Sequence, residues 1–446
     1  MILSAYGYLF MIGSVILFSI IYAVIISEKI ERTVVVFCGA FLMIVLGFIS
    51  YERALQTIDM NVLCLLAGMM IVVHILALTG IFEWFAIQTA QLARGNGLLI
   101  FLGLLNITAV TSAFLDNVTT LVLIAPVTLL ICQLLELDPV LFLIFEAIFS
   151  NLGGTATLIG DPPNVLIGSQ GHLPFVAFID HLTPAVMACM VIISLLIIPF
   201  FRKHLYVSPQ SRNILYKANP ARAIVDPDLL KKALPVFFLI LVGFFAGHSL
   251  HLEPGYVAIV GAIVMVLFTG KSIHVALKSV EWETLAFFTG LFILIGALAE
   301  QGVFKWAANA VFSLSQGNLL AATMLILWFC GMFSAIVDNI PVVLAMIPLI
   351  QAIIPQFADT LGIGSDTAAL TEKVADPLWW SLALGACLGG NGTLFGAAAN
   401  IVTAQIARKN GYPISFKRFT VYGFPTMVTS LVISSLYIFI RYFALR

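Results

Sequence analysis

The stretch TSAFLDNVTTLVLIAPV at residues 111–127 decides the fold, because FSAIVDNIPVVLAMIPL repeats its pattern at residues 333–349. Asp338 follows Asp116 by 222 residues, and an asparagine comes directly after each aspartate. The same polar pair therefore interrupts apolar sequence in both halves of the chain.

A second stretch is repeated in the same order. NLGGTATLIGDPPN at residues 151–164 matches CLGGNGTLFGAAAN at residues 387–400, with an offset of 236 residues. These residues interrupt a helix, since glycine lowers helix stability and proline removes a backbone donor. Interrupted apolar segments in corresponding positions of two halves are the best sequence pointer to the binding site of a secondary transporter.

The composition is that of a membrane protein. Of the 446 residues, 61% are hydrophobic and 10% are charged, and the mean hydropathy is +1.09. A soluble domain has roughly a quarter of its residues charged. The sequence shows no Walker A loop, dinucleotide fingerprint, HExxH motif or basic-aromatic nucleic-acid surface. The sequence also shows no nucleophile–base pair and no metal cluster. We therefore expect no enzymatic activity, no cofactor and no nucleic-acid partner. The apolar composition makes membrane lipid an expected partner.

Apolar runs near the roughly 20 residues that cross a bilayer recur along the chain. In the first half we expect them at 6–26, 33–50, 61–80, 98–135, 139–170 and 175–201. In the second half we expect them at 234–250, 256–269, 284–300, 318–351, 377–407 and 419–441. The first run has no Lys or Arg before it, so we interpret it as a retained span and not as a signal peptide.

Two of these segments, 98–135 and 318–351, are too long for one crossing and too short for two. We predict that each is a re-entrant hairpin of two short helices whose polar tip lies at membrane depth, in contact with protein or a cavity. Residues 139–170 and 377–407 predict a helix broken at its glycines. Five crossings remain in each half, and an odd number inverts the second half relative to the first.

The predicted fold is an all-α polytopic membrane protein of two inverted repeats, each with five transmembrane helices, a re-entrant hairpin and a broken helix. The repeats are 1–205 and 233–446, and 206–232 is a cytoplasmic linker. With the linker inside, sixteen of the 21 Lys and Arg residues are cytoplasmic, as the positive-inside rule expects. Both termini then lie outside, and we expect a prokaryotic inner membrane.

The repeated Asp-Asn pairs are the first candidate ion site. A charge at the centre of a membrane helix costs at least about 2.5–3.5 kcal/mol, and intramembrane carboxylates mark ion or proton paths. Neighbouring hydroxyl and amide groups supply hard oxygen ligands suited to Na⁺. The candidates are Ser112, Asp116, Asn117, Thr119, Thr120, Ser334, Asp338 and Asn339, with Na⁺ expected at the two Asp-Asn pairs. The alternative is that each aspartate only caps the helix that follows it.

The glycine-rich breaks are expected to complete each site. Their glycines would let the backbone approach a ligand, which their hydroxyl and amide groups would contact. The candidates are Gly153, Gly154, Thr155, Thr157, Asn164, Gly389, Gly390, Asn391, Thr393 and Asn400. The alternative for the glycines is close helix packing through small residues.

Asp161 differs from these paired residues, because Ala397 takes its place in the second repeat. It is either a proton-coupling carboxylate or a helix cap before Pro162. No Lys or Arg falls within the broken segments. A multivalent organic anion would therefore depend on helix N-termini, amides, hydroxyls and bound cations. This favours a cation or a small or neutral solute.

Three stretches resemble the ion transporter superfamily: SAFLDNVTTLVLIAPVTLLICQLLELDP (112–139), SNLGGTATLIGDPPNVLIG (150–168) and GACLGGNGTLFGAAANIV (385–402). The branch they resemble includes the melanosomal P protein, NhaD-type Na⁺/H⁺ antiporters and ArsB-type arsenite pumps. The resemblance implies two inverted repeats, a scaffold domain and a transport domain that carries the hairpin tips. It also implies a homodimer and Na⁺ or H⁺ coupling at the tips.

Together these patterns indicate a secondary active transporter driven by a Na⁺ or H⁺ gradient, most simply a Na⁺/H⁺ antiporter-like carrier that works by alternating access. The alternatives are efflux of arsenite or another small inorganic or organic anion, and an anion channel. A carrier saturates and ties its flux to a second gradient, whereas a channel passes ions at voltage-driven rates.

The orientation is tested by single cysteines in a variant whose six native cysteines are replaced. Arg212→Cys, in the linker, should react with a membrane-impermeant maleimide only after cells are opened. Arg53→Cys, on the predicted external side, should react in intact cells and serves as the control. Preferential labelling of position 212 from outside would refute the predicted orientation.

Overall fold

The computed structural model describes residues 2–26, 29–202, 205–208, 220–247, 249–363 and 366–444, and no strand occurs among them. The side chains of 2–6 and 26 are not described. Residues 209–219 of the predicted linker lie outside the described residues. The all-α class is confirmed for the described chain.

The described residues of the first half form ten α-helices. They are α1 (Ile2–Ile26), α2 (Arg32–Val45), α3 (Tyr51–Gln56), α4 (Met60–Ala77), α5 (Ile81–Leu92), α6 (Gly97–Ser112), α7 (Asn117–Leu135), α8 (Pro139–Thr155), α9 (Pro162–Gln170) and α10 (Phe175–Phe201).

The second half contains eleven described α-helices. They are α11 (Pro227–Gly247), α12 (Pro254–Thr269), α13 (Ile273–Ser279), α14 (Trp282–Glu300), α15 (Val303–Leu314), α16 (Leu319–Ser334), α17 (Asn339–Thr360), α18 (Thr367–Leu370), α19 (Asp376–Gly389), α20 (Ala398–Lys409) and α21 (Phe416–Phe439). Short turns of 3₁₀-helix or π-helix occupy Pro220–Ala223, Thr371–Ala375, Gly390–Gly392 and Ile440–Ala444.

The helices of the two halves begin at positions related by the sequence repeat. Asn96 caps α6 by accepting from the backbone N–H of Leu98 at 3.1 Å, and Asn318 caps α16 by accepting from that of Ala321 at 3.1 Å. Gly80 before α5 and Gly302 before α15 both have positive φ, at 79° and 76°. This backbone conformation is costly for any residue but glycine. The repeat therefore specifies local structure as well as apolar pattern.

The two halves also pack against each other reciprocally. Helix α4 packs against α12, and the corresponding helices α14 and α2 form the matching pair. Within the halves, α6 packs on α8 as α16 packs on α19. Reciprocal contacts between equivalent elements are typical of units related by a twofold axis. That the axis lies in the membrane plane stays a prediction.

The predicted hairpins are pairs of helices joined at their polar tips. Residues 113–116 separate α6 from α7, and 335–338 separate α16 from α17. The second helices are not short, since they have 19 and 22 residues. Each contains a proline at the repeated position, Pro126 or Pro348, where one backbone hydrogen bond is lost. The re-entrant course of the hairpins stays a prediction.

Eight described helices are long and apolar enough to cross a membrane, and the α15–α16 pair, bent by 119°, is a ninth candidate. This set differs from the ten predicted crossings. It contains α7 and α17, which were predicted to belong to re-entrant hairpins. It lacks the predicted span at 33–50, because α2 ends at Val45, before a turn in which Gly47 has positive φ. A short helix can still cross where the bilayer thins around it. The chain is a multi-pass membrane protein, and its ten crossings stay a prediction.

Gly153 tests the packing of α8 on α6. A Cβ atom at this position would lie 2.0 Å from the carbonyl oxygen of Ala109. Gly153→Ala should therefore lower the midpoint of thermal unfolding in detergent, through an overpacking cost of roughly 1–3 kcal/mol. Gly7→Ala is the control, because a Cβ there meets nothing within 4 Å. Equal midpoints for the two variants would contradict this account of the close approach.

Candidate functional site

Each Asp-Asn pair begins the second helix of its hairpin. The Asp116 carboxylate accepts from the backbone N–H of Thr119 at 2.9 Å. The Asp338 carboxylate accepts from the N–H of Ile340 at 3.3 Å. The capping role is thus present at both tips, and it uses only one oxygen of each carboxylate. The predicted Na⁺ contact is compatible with this arrangement and stays a prediction.

The two tips meet at one cavity of about 220 Å³. Five predicted site residues line it: Asp116, Asn117, Asp161, Asp338 and Asn339. The opposite wall comes from the start of α2, the middle of α4 and the start of α14. Two repeats that are 222 residues apart in sequence therefore place their tips around the same space.

Asp161 joins the two repeats at this cavity. Its Oδ1 accepts from the Asn117 amide at 3.3 Å, and its Oδ2 accepts from the Asn339 amide at 3.2 Å. The side chain is 1% exposed and makes no capping hydrogen bond to α9. The carboxyl group therefore serves as a shared acceptor for the two tips, which the capping alternative does not explain.

Asn151 is a residue of this network that the sequence analysis missed. Its amide oxygen accepts from Asn117 at 3.0 Å. Its amide nitrogen donates to Asn391 at 2.9 Å and to Asn400 at 3.1 Å. Asn151 thus connects the first tip to the break of the second repeat. It is the first residue of the repeated stretch at 151–164, which is the signal that could have found it.

The other predicted asparagines close the broken helices. Asn164 donates to the carbonyl oxygens of Thr155 at 3.0 Å and Thr157 at 2.8 Å. Asn400 donates to those of Gly390 at 2.9 Å and Thr393 at 3.0 Å. These amides satisfy backbone groups that leave the helix, and neither asparagine lines the cavity.

The predicted threonines and serines are held mostly by backbone carbonyl groups. Thr157 donates to Ala113 and Thr393 to Ala335, so each break is tied to the tip of its own repeat. Ser334 donates to Ala386, and Thr155 to Asn151. The Ser112 hydroxyl lies 3.1 Å from that of Ser150, and the buried Thr120 hydroxyl has no partner in the described part of the chain. Thr119 contributes its backbone N–H to the Asp116 cap.

The four glycines of the breaks contact protein backbone. A Cβ on Gly389 would lie 2.4 Å from the carbonyl oxygen of Gly331, which repeats the relation of Gly153 to α6. Cβ atoms on Gly154 and Gly390 would lie 2.7 Å and 2.9 Å from oxygen atoms of their own breaks. None of the four lines the cavity. The packing alternative accounts for their contacts.

A basic residue from outside the broken segments reaches the cavity. Arg32, at the start of α2, lies with its Nη1 3.9 Å from Asp338 Oδ2. Its guanidinium is 5.2 Å from the centre of the Phe287 ring. The absence of Lys and Arg from the broken segments therefore does not leave the cavity without a cation.

Polar breaks in apolar helices, a shared cavity and membrane-buried carboxylates define the chain as a multi-pass membrane transporter. A family model described as "Citrate transporter" (CitMHS) matches residues 22–385, and the chain belongs to this family. The family lies within the ion transporter superfamily, so the resemblance seen in the sequence is confirmed.

Several relatives are similar along nearly the whole chain. A "46 kDa membrane protein" of Mycobacterium leprae is 39% identical over 433 residues, covering 96% of this chain and 98% of that protein. An "Uncharacterized transporter" of Synechocystis is 34% identical, covering 93% and 94%. The P protein of Homo sapiens is 33% identical, covering 95% of this chain and 59% of that protein.

A solved structure supports the fold. The YdaH transporter of Alcanivorax borkumensis, described as having an unusual topology, superposes with a TM-score of 0.57 at 12% identity. The match covers 98% of this chain and 97% of that chain. Identity at this level supports the arrangement of helices alone.

Asn151→Leu tests the network that joins the tip to the opposite break. The variant keeps a similar volume and leaves the partner amides of Asn117, Asn391 and Asn400 without Asn151. Each unsatisfied buried polar group costs about 1–3 kcal/mol, so thermal stability in detergent should fall. Asn106→Leu is the matched control, because Asn106 is exposed and donates only to Leu102 of its own helix. Equal stability of both variants would show that the network contributes little.

Proposed function

We propose that the chain is a secondary active transporter driven by a Na⁺ or H⁺ gradient, most simply a Na⁺/H⁺ antiporter-like carrier that works by alternating access. The observation that carries this proposal is the position of Asp161, a buried carboxyl group that accepts from both hairpin tips. A proton or cation bound there changes what holds the two repeats together.

The charge of the cavity supports a cation or a proton as the coupling ion. Its lining contains four carboxyl groups, on Asp116, Asp161, Glu281 and Asp338, and one guanidinium, on Arg32. Removing like charges from water is unfavourable unless cations or protons offset them. Sodium at the Asp-Asn pairs would do so, and so would protonation of the same groups. Alternate occupancy by the two ions is the requirement for antiport.

Two separate cavities support access from one side at a time. The second, of about 610 Å³, lies between the start of α4, the ends of α9 and α11 and the start of α12, and no tip residue lines it. Asp59 in this cavity and Glu281 in the first hold equivalent positions in the two repeats. Two separate cavities lined by equivalent positions of the repeats are the arrangement expected of a carrier that is open to one side. With the predicted orientation, the tip cavity faces the cytoplasm and the second cavity faces outside.

Arg32 favours a second candidate, transport of a small anion such as a carboxylate. Its side chain is 43% exposed, and its contact with Asp338 is long, at 3.9 Å. Most of its donors therefore remain available to a ligand. The description of the family as citrate transporters agrees with this candidate. Uptake of labelled citrate into proteoliposomes that is lost in Arg32→Gln would support it, and absence of citrate uptake by the wild type would oppose it. A homodimer in the membrane belongs to the proposal for either substrate.

Substitution of the tip aspartates tests the coupling. Asp116→Asn and Asp338→Asn should abolish ²²Na⁺ flux driven by a pH gradient in proteoliposomes, because the amide keeps the size but cannot supply a negative charge or take up a proton. Asp161→Asn should change the pH dependence of the flux. A ligand at 100 times its Kd stabilises a folded protein by about 2.7 kcal/mol, so Na⁺ should raise the thermal midpoint of the wild type more than that of the tip variants.

Asp228→Asn is the control for these substitutions, because Asp228 is exposed and pairs only with Lys231 at 3.1 Å. It should transport as the wild type does. Unchanged flux in Asp116→Asn and Asp338→Asn would leave both aspartates as helix caps and would remove the basis of the proposed coupling.

A further inference from the structure

Glu146, on α8, is a buried carboxyl group that the proposed mechanism does not use. It is 0% exposed and does not line the tip cavity. Its Oε1 accepts from the Thr128 hydroxyl at 2.5 Å, and its Oε2 has no hydrogen-bond partner among the described residues. An orphaned oxygen of this kind needs an explanation, because buried polar groups in proteins are almost always paired.

No ion pair joins Glu146 to a basic group within the described part of the chain. The titratable and charged groups on the described helices packed against α8 are Cys132, Asp180, His181, Cys189, Asp376, Cys387, Arg408, Lys409, Lys417, Arg418, Tyr422 and Tyr437. Arg418 is held by Asp138 at 2.7 Å. A buried carboxylate without a cation is strongly disfavoured, and a bound proton removes that cost.

Polar groups on α7 and α8 lie between Glu146 and the cavity. Ser150 lies one helical turn further along α8, on the same face as Glu146. Its hydroxyl donates to the backbone carbonyl of Asn117 and also lies 3.1 Å from the Ser112 hydroxyl. Asn117 donates in turn to Asp161. The unpartnered hydroxyl of Thr120 belongs to α7, which packs on the same helix.

The second repeat shows that the fold does not require these polar groups. Its equivalent positions are all apolar or weakly polar: Val342 for Thr120, Ile350 for Thr128, Leu382 for Glu146, Ala386 for Ser150, Cys387 for Asn151 and Ala397 for Asp161. All six replacements are buried, as are their counterparts. Replacing buried charged pairs by apolar residues of similar volume is often neutral or stabilising. Packing alone therefore does not explain Glu146.

We propose that Glu146 is a second proton-binding site, which exchanges its proton with water in the cavity. The proton that leaves the Glu146 carboxyl group is taken up by that water, and the reverse step reloads Glu146. The proposal rests on the proposed function in one respect, that the transport cycle is driven by a proton gradient.

Infrared difference spectroscopy tests the titration of Glu146 without depending on transport. Purified wild-type protein in lipid is stepped between about pH 5 and pH 9, a range that brackets the titration of buried glutamates. We expect a change in the carbonyl-stretch band of protonated carboxylic acids that is missing from Glu146→Gln. Glu300→Gln is the control, because Glu300 is an exposed glutamate at the end of α14. A wild-type band change in Glu146→Gln would overturn the proposal.

Flux measurements test whether this proton takes part in the cycle. Glutamine imitates the protonated acid, so a permanently protonated Glu146 predicts that Glu146→Gln transports ²²Na⁺ with the wild-type pH profile. A cycling Glu146 predicts a loss of pH-driven flux with folding intact. Glu146→Leu, which copies Leu382 of the second repeat, should fold and also lose this flux. A wild-type profile in both variants overturns the inference and leaves the proposed function standing, whereas absence of coupled flux in the wild type refutes the proposed function itself.

Discussion

The fold depends on satisfying the backbone N–H and C=O groups that are left free where helices are interrupted in an apolar medium. Lipid offers no partner for a free N–H or C=O, so an interruption at membrane depth must be satisfied by the protein itself. Asn164 and Asn400 do this in the two repeats, each with carbonyl groups of its own break. Thr157 and Thr393 then fasten the breaks to the hairpin tips. The polar residues of the repeated stretches are thus first a structural requirement.

Closure of the breaks leaves the tip asparagines available for the contact between repeats. Asn117 and Asn339 begin their helices beside aspartates that take over the capping, so their amides can reach Asp161. A change in the charge of the Asp161 carboxyl group therefore alters hydrogen bonds of both tip asparagines. In the proposed mechanism, ion occupancy at Asp161 therefore acts on both halves directly, without a long chain of intermediates.

The repeated stretches predicted the breaks, the tips and the asymmetry of Asp161, because those features are local and carry polar or helix-breaking residues. Asn151 and Arg32 were not predicted. Arg32 lies in an ordinary helix start, and only the packing of α2 against α14 brings it to Asp338. The glycines were ambiguous in sequence, since ligand approach and helix packing both demand a missing side chain. The second helix of the first hairpin was predicted to be short, whereas α7 runs from Asn117 to Leu135 with Pro126 inside it.

The proposed mechanism gives the difference between Asp161 and Ala397 an electrostatic reason. The twofold relation of the repeats would place an acid at position 397 where it met the same pair of tips. Two carboxyl groups that share one site cannot both ionise, so one would hold its proton throughout and could not respond to a gradient. With alanine in the second repeat, a single carboxyl group is shared between two amides. The two repeats share one pattern and differ at this position, where the proposed mechanism uses a single carboxyl group that meets both tips.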